Sequence, residues 1–147
     1  MAIKRDDFPL PDIDDPITAP FFAAAAKGEL RVTRCGSCGA FVWYPQDACP
    51  HDGGALTWEP VSGRATLFSW AVVQRAFLPA FADMVPFVTA LVVLDEDPAV
   101  RLCTYVVDAD PDALSADAPV EVVFRPLEFP TVPGKSVTVP MFRPVRA

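Results

Sequence analysis

Three cysteines sit close together in the order Cys35-Gly36-Ser37-Cys38-Gly39, then Cys49-Pro50-His51-Asp52-Gly53. A C-x-x-C turn aims two thiolates at one ion, and a glycine after the second ligand permits the tight backbone turn. Two such turns facing each other across short strands make a zinc ribbon, and Phe41 to Tyr44 and Ala55 to Glu59 are the candidate strands. The second knuckle carries Asp52 where a fourth cysteine is expected. A carboxylate is an accepted zinc ligand. His51, the only histidine in the chain, is the rival: it is one residue out of register, but imidazole suits a thiolate site better. Register favours Asp52. A degenerate knuckle that folds without metal, or binds it weakly, is the plainer alternative. The zinc expected here is structural, because a catalytic ion keeps an open position for water and three thiolates make it a poor Lewis acid. Cys103 lies mid-strand among apolar residues and reads as a buried, inert thiol.

Other reactive patterns are missing from the sequence. There is no G-x-S-x-G, no P-loop and no G-x-G-x-x-G. With its one histidine assigned to the ribbon region, the chain lacks a base for a Ser-His-Asp arrangement. Asp95-Glu96-Asp97 before Pro98 reads as a solvated turn. No residue is therefore nominated as catalytic, and the expectation shifts toward binding or assembly, with no activity in the isolated chain. The net charge of −7 disfavours a nucleic-acid backbone, which needs clustered Lys and Arg. Four unevenly spaced cysteines do not make a secreted disulfide framework. The apolar stretch from Met84 to Leu94 is far short of the ~20 residues of a membrane helix. Met1 to Asp15 is charged and proline-rich, unlike a signal peptide. These features together predict a cytoplasmic protein away from membranes.

The positioning elements follow from periodicity and punctuation. Seventeen prolines in 147 residues argue against long helices. Residues 1–18, rich in aspartate, read as a flexible acidic arm. Thr18 to Lys27 is the one good helix, with Thr18 as cap, Pro20 in the first turn and Gly28 as stop. Glu29 to Thr33 leads as a strand into the cysteines, so that helix plus ribbon occupy 19–60. From 61 to 147 the pattern is all-β. Strands are predicted over Ala65–Phe77, Phe87–Leu94, Val100–Val107, Val120–Leu127 and Val137–Met141. Val100, Leu102 and Val106 share one side of the third; Val120, Val122 and Phe124 share one side of the fourth. Five strands with turn signals between them fit a small barrel, with a sandwich as the alternative.

Taken in order, several short motifs resemble a known family. They are Gly28-Glu29-Leu30, Arg34-Cys35-Gly36-Ser37-Cys38-Gly39, Tyr44-Pro45, Cys49-Pro50 and Val61-Ser62-Gly63-Arg64-Ala65-Thr66, then Pro86-Phe87-Val88, Pro119 to Phe124 and Phe142-Arg143-Pro144. Their order and spacing resemble the family called Domain of Unknown Function thirty-five, over roughly residues 19 to 145. The resemblance implies a mostly β protein: an N-terminal helix and a rubredoxin-like zinc ribbon, followed by a five-stranded OB-fold barrel. It also implies a hetero-oligomer. Members accompany thiolase-superfamily or lipid-transfer-protein-like enzymes acting on acyl-CoA thioesters, by acyl transfer or by retro-aldol cleavage of steroid side chains. The small subunit supports assembly or activity, and the enzyme subunit holds the chemistry. Asp52 in place of the fourth cysteine departs from the family pattern. So does Ala65, which replaces the second glycine of a Ser-Gly-x-Gly turn.

The residues also suggest a partner surface. The segment between the first two barrel strands holds Phe77, Leu78, Phe81, Met84 and Phe87, an unusually apolar loop. It is either an interface core or a lid folded over the barrel end. Arg31, Arg34 and Arg64 near the ribbon–barrel junction are candidates for contact with CoA phosphates, against an ordinary role in surface solvation. The competing functions are an OB-fold nucleic-acid binder and a stand-alone acyl-CoA-binding protein or thioesterase.

Overall fold

The computed structural model describes residues 6–146. Of the arm expected over 1–18, residues 1–5 lie outside the described residues. Leu10, only 2% exposed, packs into a cluster with barrel residues, whereas 12–17 are exposed.

Helix α1 (Ala19–Ala26) carries Pro20 in its first turn, and Gly28 follows it at φ 75°, a left-handed stop that glycine adopts freely. Thr18 stands at the cap position but makes no side-chain cap bond, because its backbone is already helical rather than extended. The amides of Thr18 and Ala19 donate instead to the Asp15 carbonyl, at 3.1 and 2.7 Å. Strands β1 (Arg31–Cys35), β2 (Phe41–Val42) and β3 (Leu56–Pro60) form an antiparallel sheet in the order β2-β1-β3. Thr33 is the buried polar residue of β1, and its hydroxyl donates to the Val42 carbonyl.

The rest closes into a barrel of β4 (Arg64–Val73), β5 (Phe87–Leu94), β6 (Arg101–Val106), β7 (Pro119–Leu127) and β8 (Val137–Pro144), in the order β4-β5-β6-β8-β7 with β7 returning to β4. This is the OB-fold barrel expected. The main core takes alternate residues of each strand, among them Leu67, Val88, Ala90, Val92, Leu94, Leu102, Val106, Val120 and Phe142. Leu30 and Val32 of the ribbon side join the same cluster and weld the ribbon to the barrel.

Three expectations need correction. Strand β4 ends at Val73 rather than Phe77: β5 starts at Phe87, which pairs with Val73, so 74–77 has no partner strand. Strand β8 runs on to Pro144, and its residue Phe142 is fully buried in the main core. The predicted alternation of Val137, Val139 and Met141 is real, but it marks the opposite face of the strand. That face packs into a second cluster with Leu10, Ala80, Leu127, Phe129 and Val132. Finally, Cys103 is exposed rather than buried. The period of two that turns Leu102 inward turns Arg101 and Cys103 outward. Among the described residues no helix is long and apolar enough to cross a membrane.

Candidate functional site

Two backbone turns of the same design build the ribbon tip. In the first, the Cys35 amide donates to the Ala40 carbonyl at 2.8 Å, and the Gly39 amide to the Cys35 carbonyl at 3.0 Å. In the second, the Cys49 amide donates to the Gly54 carbonyl at 2.9 Å, and the Gly53 amide to the Cys49 carbonyl at 2.9 Å. Gly39 and Gly53 both hold the left-handed conformation, at φ 77° and 72°. The two turns share the same backbone bonds at the same spacing, so Asp52 stands at the position equivalent to Cys38 in the first.

The ligand atoms of Cys35, Cys38, Cys49 and Asp52 all lie within 4.8 Å of one another. The geometry fits zinc. A tetrahedral ion with Zn–S of about 2.3 Å and Zn–O of about 2.0 Å requires sulfur–sulfur edges of about 3.8 Å and sulfur–oxygen edges of about 3.5 Å. The Cys38 and Cys49 sulfurs are 3.7 Å apart, and Cys35 Sγ lies 3.4 Å from Asp52 Oδ1. Cys35 and Cys49 are buried with Val42; Cys38 and Asp52 face solvent. His51 is exposed and is not part of the cluster.

Local donors prepare two of the ligands, Asp52 and Cys35. The Gly54 amide donates to Asp52 Oδ1 at 2.8 Å and, with Cys35 adding, holds the carboxyl below the usual carboxylate range. The Cys38 amide lowers the Cys35 thiol from its ordinary value, against an opposing desolvation, with the Ser37 amide adding. Both effects favour the deprotonated form that binds metal. Sequence reasoning passed over Gly54; the doubled glycine after Asp52 was its one signal.

The apolar loop divides. Phe81 stacks on Phe87 at 5.9 Å and meets Phe129 edge-on at 5.3 Å; Phe87 meets Tyr105 edge-on at 5.7 Å. Met84 packs into the second cluster beside them. These three pack against the outer face of the barrel, on the side of its strands opposite the main core. Phe77 and Leu78 project instead, 89% and 46% exposed, at the rim of a cleft of about 220 Å³ that Arg75 also borders. Of the three arginines, Arg31 is held by Glu29 at 2.9 Å and Arg34 by Glu59 at 3.3 Å, with Phe41 under the Arg34 guanidinium. Arg64 is exposed and makes no ion pair among the described residues. Trp43 and Trp58 pack with Phe21 and bind the ribbon to α1, whereas Tyr44 stays exposed.

Comparison with known proteins covers both modules. Residues 22–59 match the family described as ChsH2, rubredoxin-like zinc ribbon domain, and residues 58–125 the one described as ChsH2, C-terminal OB-fold domain. The chain is 32% identical over 145 residues to a "Probable enoyl-CoA hydratase alpha subunit" of Thermomonospora curvata. That match takes in 97% of this chain but 39% of the relative, so the chain spans about two fifths of its length. A "DUF35 domain-containing scaffold protein" of Methanothermobacter thermautotrophicus is 32% identical over 98 residues, which is 65% of this chain and 71% of that protein. Among solved structures, a chain of the "Ltp2-ChsH2(DUF35) aldolase" matches with a TM-score of 0.76 and 31% identity, over 91% of this chain and 98% of that one. A DUF35-family protein of unknown function from Sulfolobus solfataricus matches with a TM-score of 0.54 and 14% identity, over 74% and 78% of the two chains, a likeness of fold alone.

Proposed function

The chain belongs to the DUF35 family, in its ChsH2-like form of zinc ribbon plus OB-fold, and from that premise we propose that it is a non-catalytic accessory subunit of an acyl-CoA enzyme complex. The observation that carries this reading is the near full-length likeness to a chain solved within the Ltp2-ChsH2(DUF35) aldolase. The partner is a thiolase-superfamily or lipid-transfer-protein-like enzyme, and the reaction is acyl transfer or retro-aldol carbon–carbon cleavage on a CoA thioester. This chain supplies the docking surface, and the partner supplies the acid–base chemistry.

Phe77 and Leu78 are the anchors of that surface. An exposed phenylalanine on a loop stiffened by the packed residues Phe81, Met84 and Phe87 loses little freedom on binding. Aromatic side chains of this kind dominate binding energy at interface centres. Zinc is structural in this reading: it fixes the ribbon, and no open coordination position is required. For direct contact with CoA phosphates we retain Arg64, since Arg31 and Arg34 each already face a glutamate.

Affinity isolation of the tagged chain from its native source, followed by mass spectrometry, tests the reading. A stoichiometric acyl-CoA enzyme is the expected companion. Turnover of CoA esters by the chain alone would point instead to a stand-alone enzyme.

A further inference from the structure

Gly54 sits where three groups of the metal site converge. A Cβ built on it would lie 2.8 Å from Cys35 Sγ, 2.8 Å from Ser37 Oγ and 2.9 Å from Asp52 Oδ1. At such distances something must shift, and two of the three atoms are held by backbone amides: Cys35 Sγ by those of Ser37 and Cys38, and Asp52 Oδ1 by that of Gly54 itself. The same residue donates its amide to Asp52 Oδ1 at 2.8 Å, and its carbonyl accepts from the Cys49 amide at 2.9 Å. One glycine therefore orients the oxygen ligand, ties down the turn that carries a sulfur ligand, and leaves the space in which the first knuckle closes on the second.

We propose that Gly54 is the positioning residue that makes this ribbon a three-sulfur, one-oxygen site, and that the site is an exchangeable one, opening on its Asp52–Cys38 side. The proposal rests on the metal-site geometry and not on the partnership proposed above, so either can fail alone. Two ligands, Cys35 and Cys49, are sealed in the small core with Val42, while Cys38 and Asp52 face water. The ion is thus approached by competing ligands from the side held by its hardest donor. A carboxylate binds borderline zinc less firmly than a thiolate does. A group that hydrogen-bonds a ligating carboxylate typically governs metal affinity by about 10–100-fold.

The test uses the full chain with zinc and cobalt(II) alone. Gly54→Ala keeps the amide donor but forces Asp52 Oδ1 or Cys35 Sγ out of place; misplacing an oriented ligand is expected to lower zinc affinity about 10–100-fold, while the far-ultraviolet spectrum and thermal transition of the barrel persist. Asp52→Cys is expected to raise the sulfur-to-cobalt charge-transfer absorbance in proportion to a fourth thiolate and to slow the passage of zinc to a chromophoric chelator. Should Gly54→Ala fail to fold, the exchange rates of wild type and Asp52→Cys carry the test by themselves. Wild-type zinc leaving as slowly as from Asp52→Cys would overturn the claim of exchangeability. A folded Gly54→Ala protein with wild-type affinity would overturn the role of the glycine.

Discussion

The ribbon and the barrel keep their shapes by different means. The ribbon tip has a core of Cys35, Val42 and Cys49 with Leu56 beside it, too little apolar surface to order its two turns. Its geometry therefore depends on four ligands meeting one ion. The barrel buries whole faces of five strands and needs no ion. The contrast suggests a division of labour: the barrel is the rigid body that presents the loop of Phe77 and Leu78, and the ribbon is a module set by metal and welded on through Leu30, Val32, Phe21, Trp43 and Trp58.

The largest effect should come from taking the metal away. Chelation is expected to collapse the dispersed amide resonances of residues 35–54, while the barrel retains its thermal transition, because the free energy of a structural zinc site is folding free energy. If barrel and ribbon melt together on chelation, they are one cooperative unit and the comparison fails. Next, Phe142→Ala removes the largest fully buried side chain of the barrel and should cost about 3–5 kcal/mol in urea unfolding.

Gly63→Ala comes third. Gly63 has φ 81°, and a Cβ there would lie 2.2 Å from Val122 Cγ1. Overpacking of this kind costs about 1–3 kcal/mol, and the loss should appear in the barrel transition with zinc content unchanged. The smallest effect belongs to the junction. The Ser62 amide and hydroxyl donate to the Glu96 carboxylate at 2.8 and 3.0 Å, tying the linker between β3 and β4 to the β5–β6 turn. Ser62→Ala should cost about 0.5–1.5 kcal/mol, seen as faster hydrogen exchange at the junction while both modules stay protected.

Much of this division was legible in the residues. The C-x-x-C turn and its echo at Cys49 are local, so spacing alone located the knuckles. The strands of the barrel stood out as apolar, β-branched runs bounded by turn signals, as in Phe87–Leu94, whose bounds agree with those observed. Legibility ended where burial depends on distant chain. Phe142 follows Met141, and both are buried because β8 packs on two sides; a period of two cannot report that. The outward place of Cys103 was implied by the same period of two that put Leu102 and Val106 on the inner side, and its apolar neighbours along the chain masked it. In the loop, Phe81 and Phe77 are equivalent in composition. Stacking on Phe87 and the arrival of Phe129 from the β7–β8 turn separate the packed residue from the projecting one.

The most direct test of the subunit reading is the mass, by light scattering after size exclusion, of the chain co-expressed with the acyl-CoA enzyme that isolates with it, for wild type and for Phe77→Asp. An exposed site tolerates such a change within about 0.5 kcal/mol of stability, so the variant stays folded and zinc-loaded. An accessory subunit docked through this loop gives a single stoichiometric complex for wild type and two separate species for Phe77→Asp. Two free species for the wild type would contradict the subunit reading, and an intact complex for Phe77→Asp would move the docking surface elsewhere on the chain.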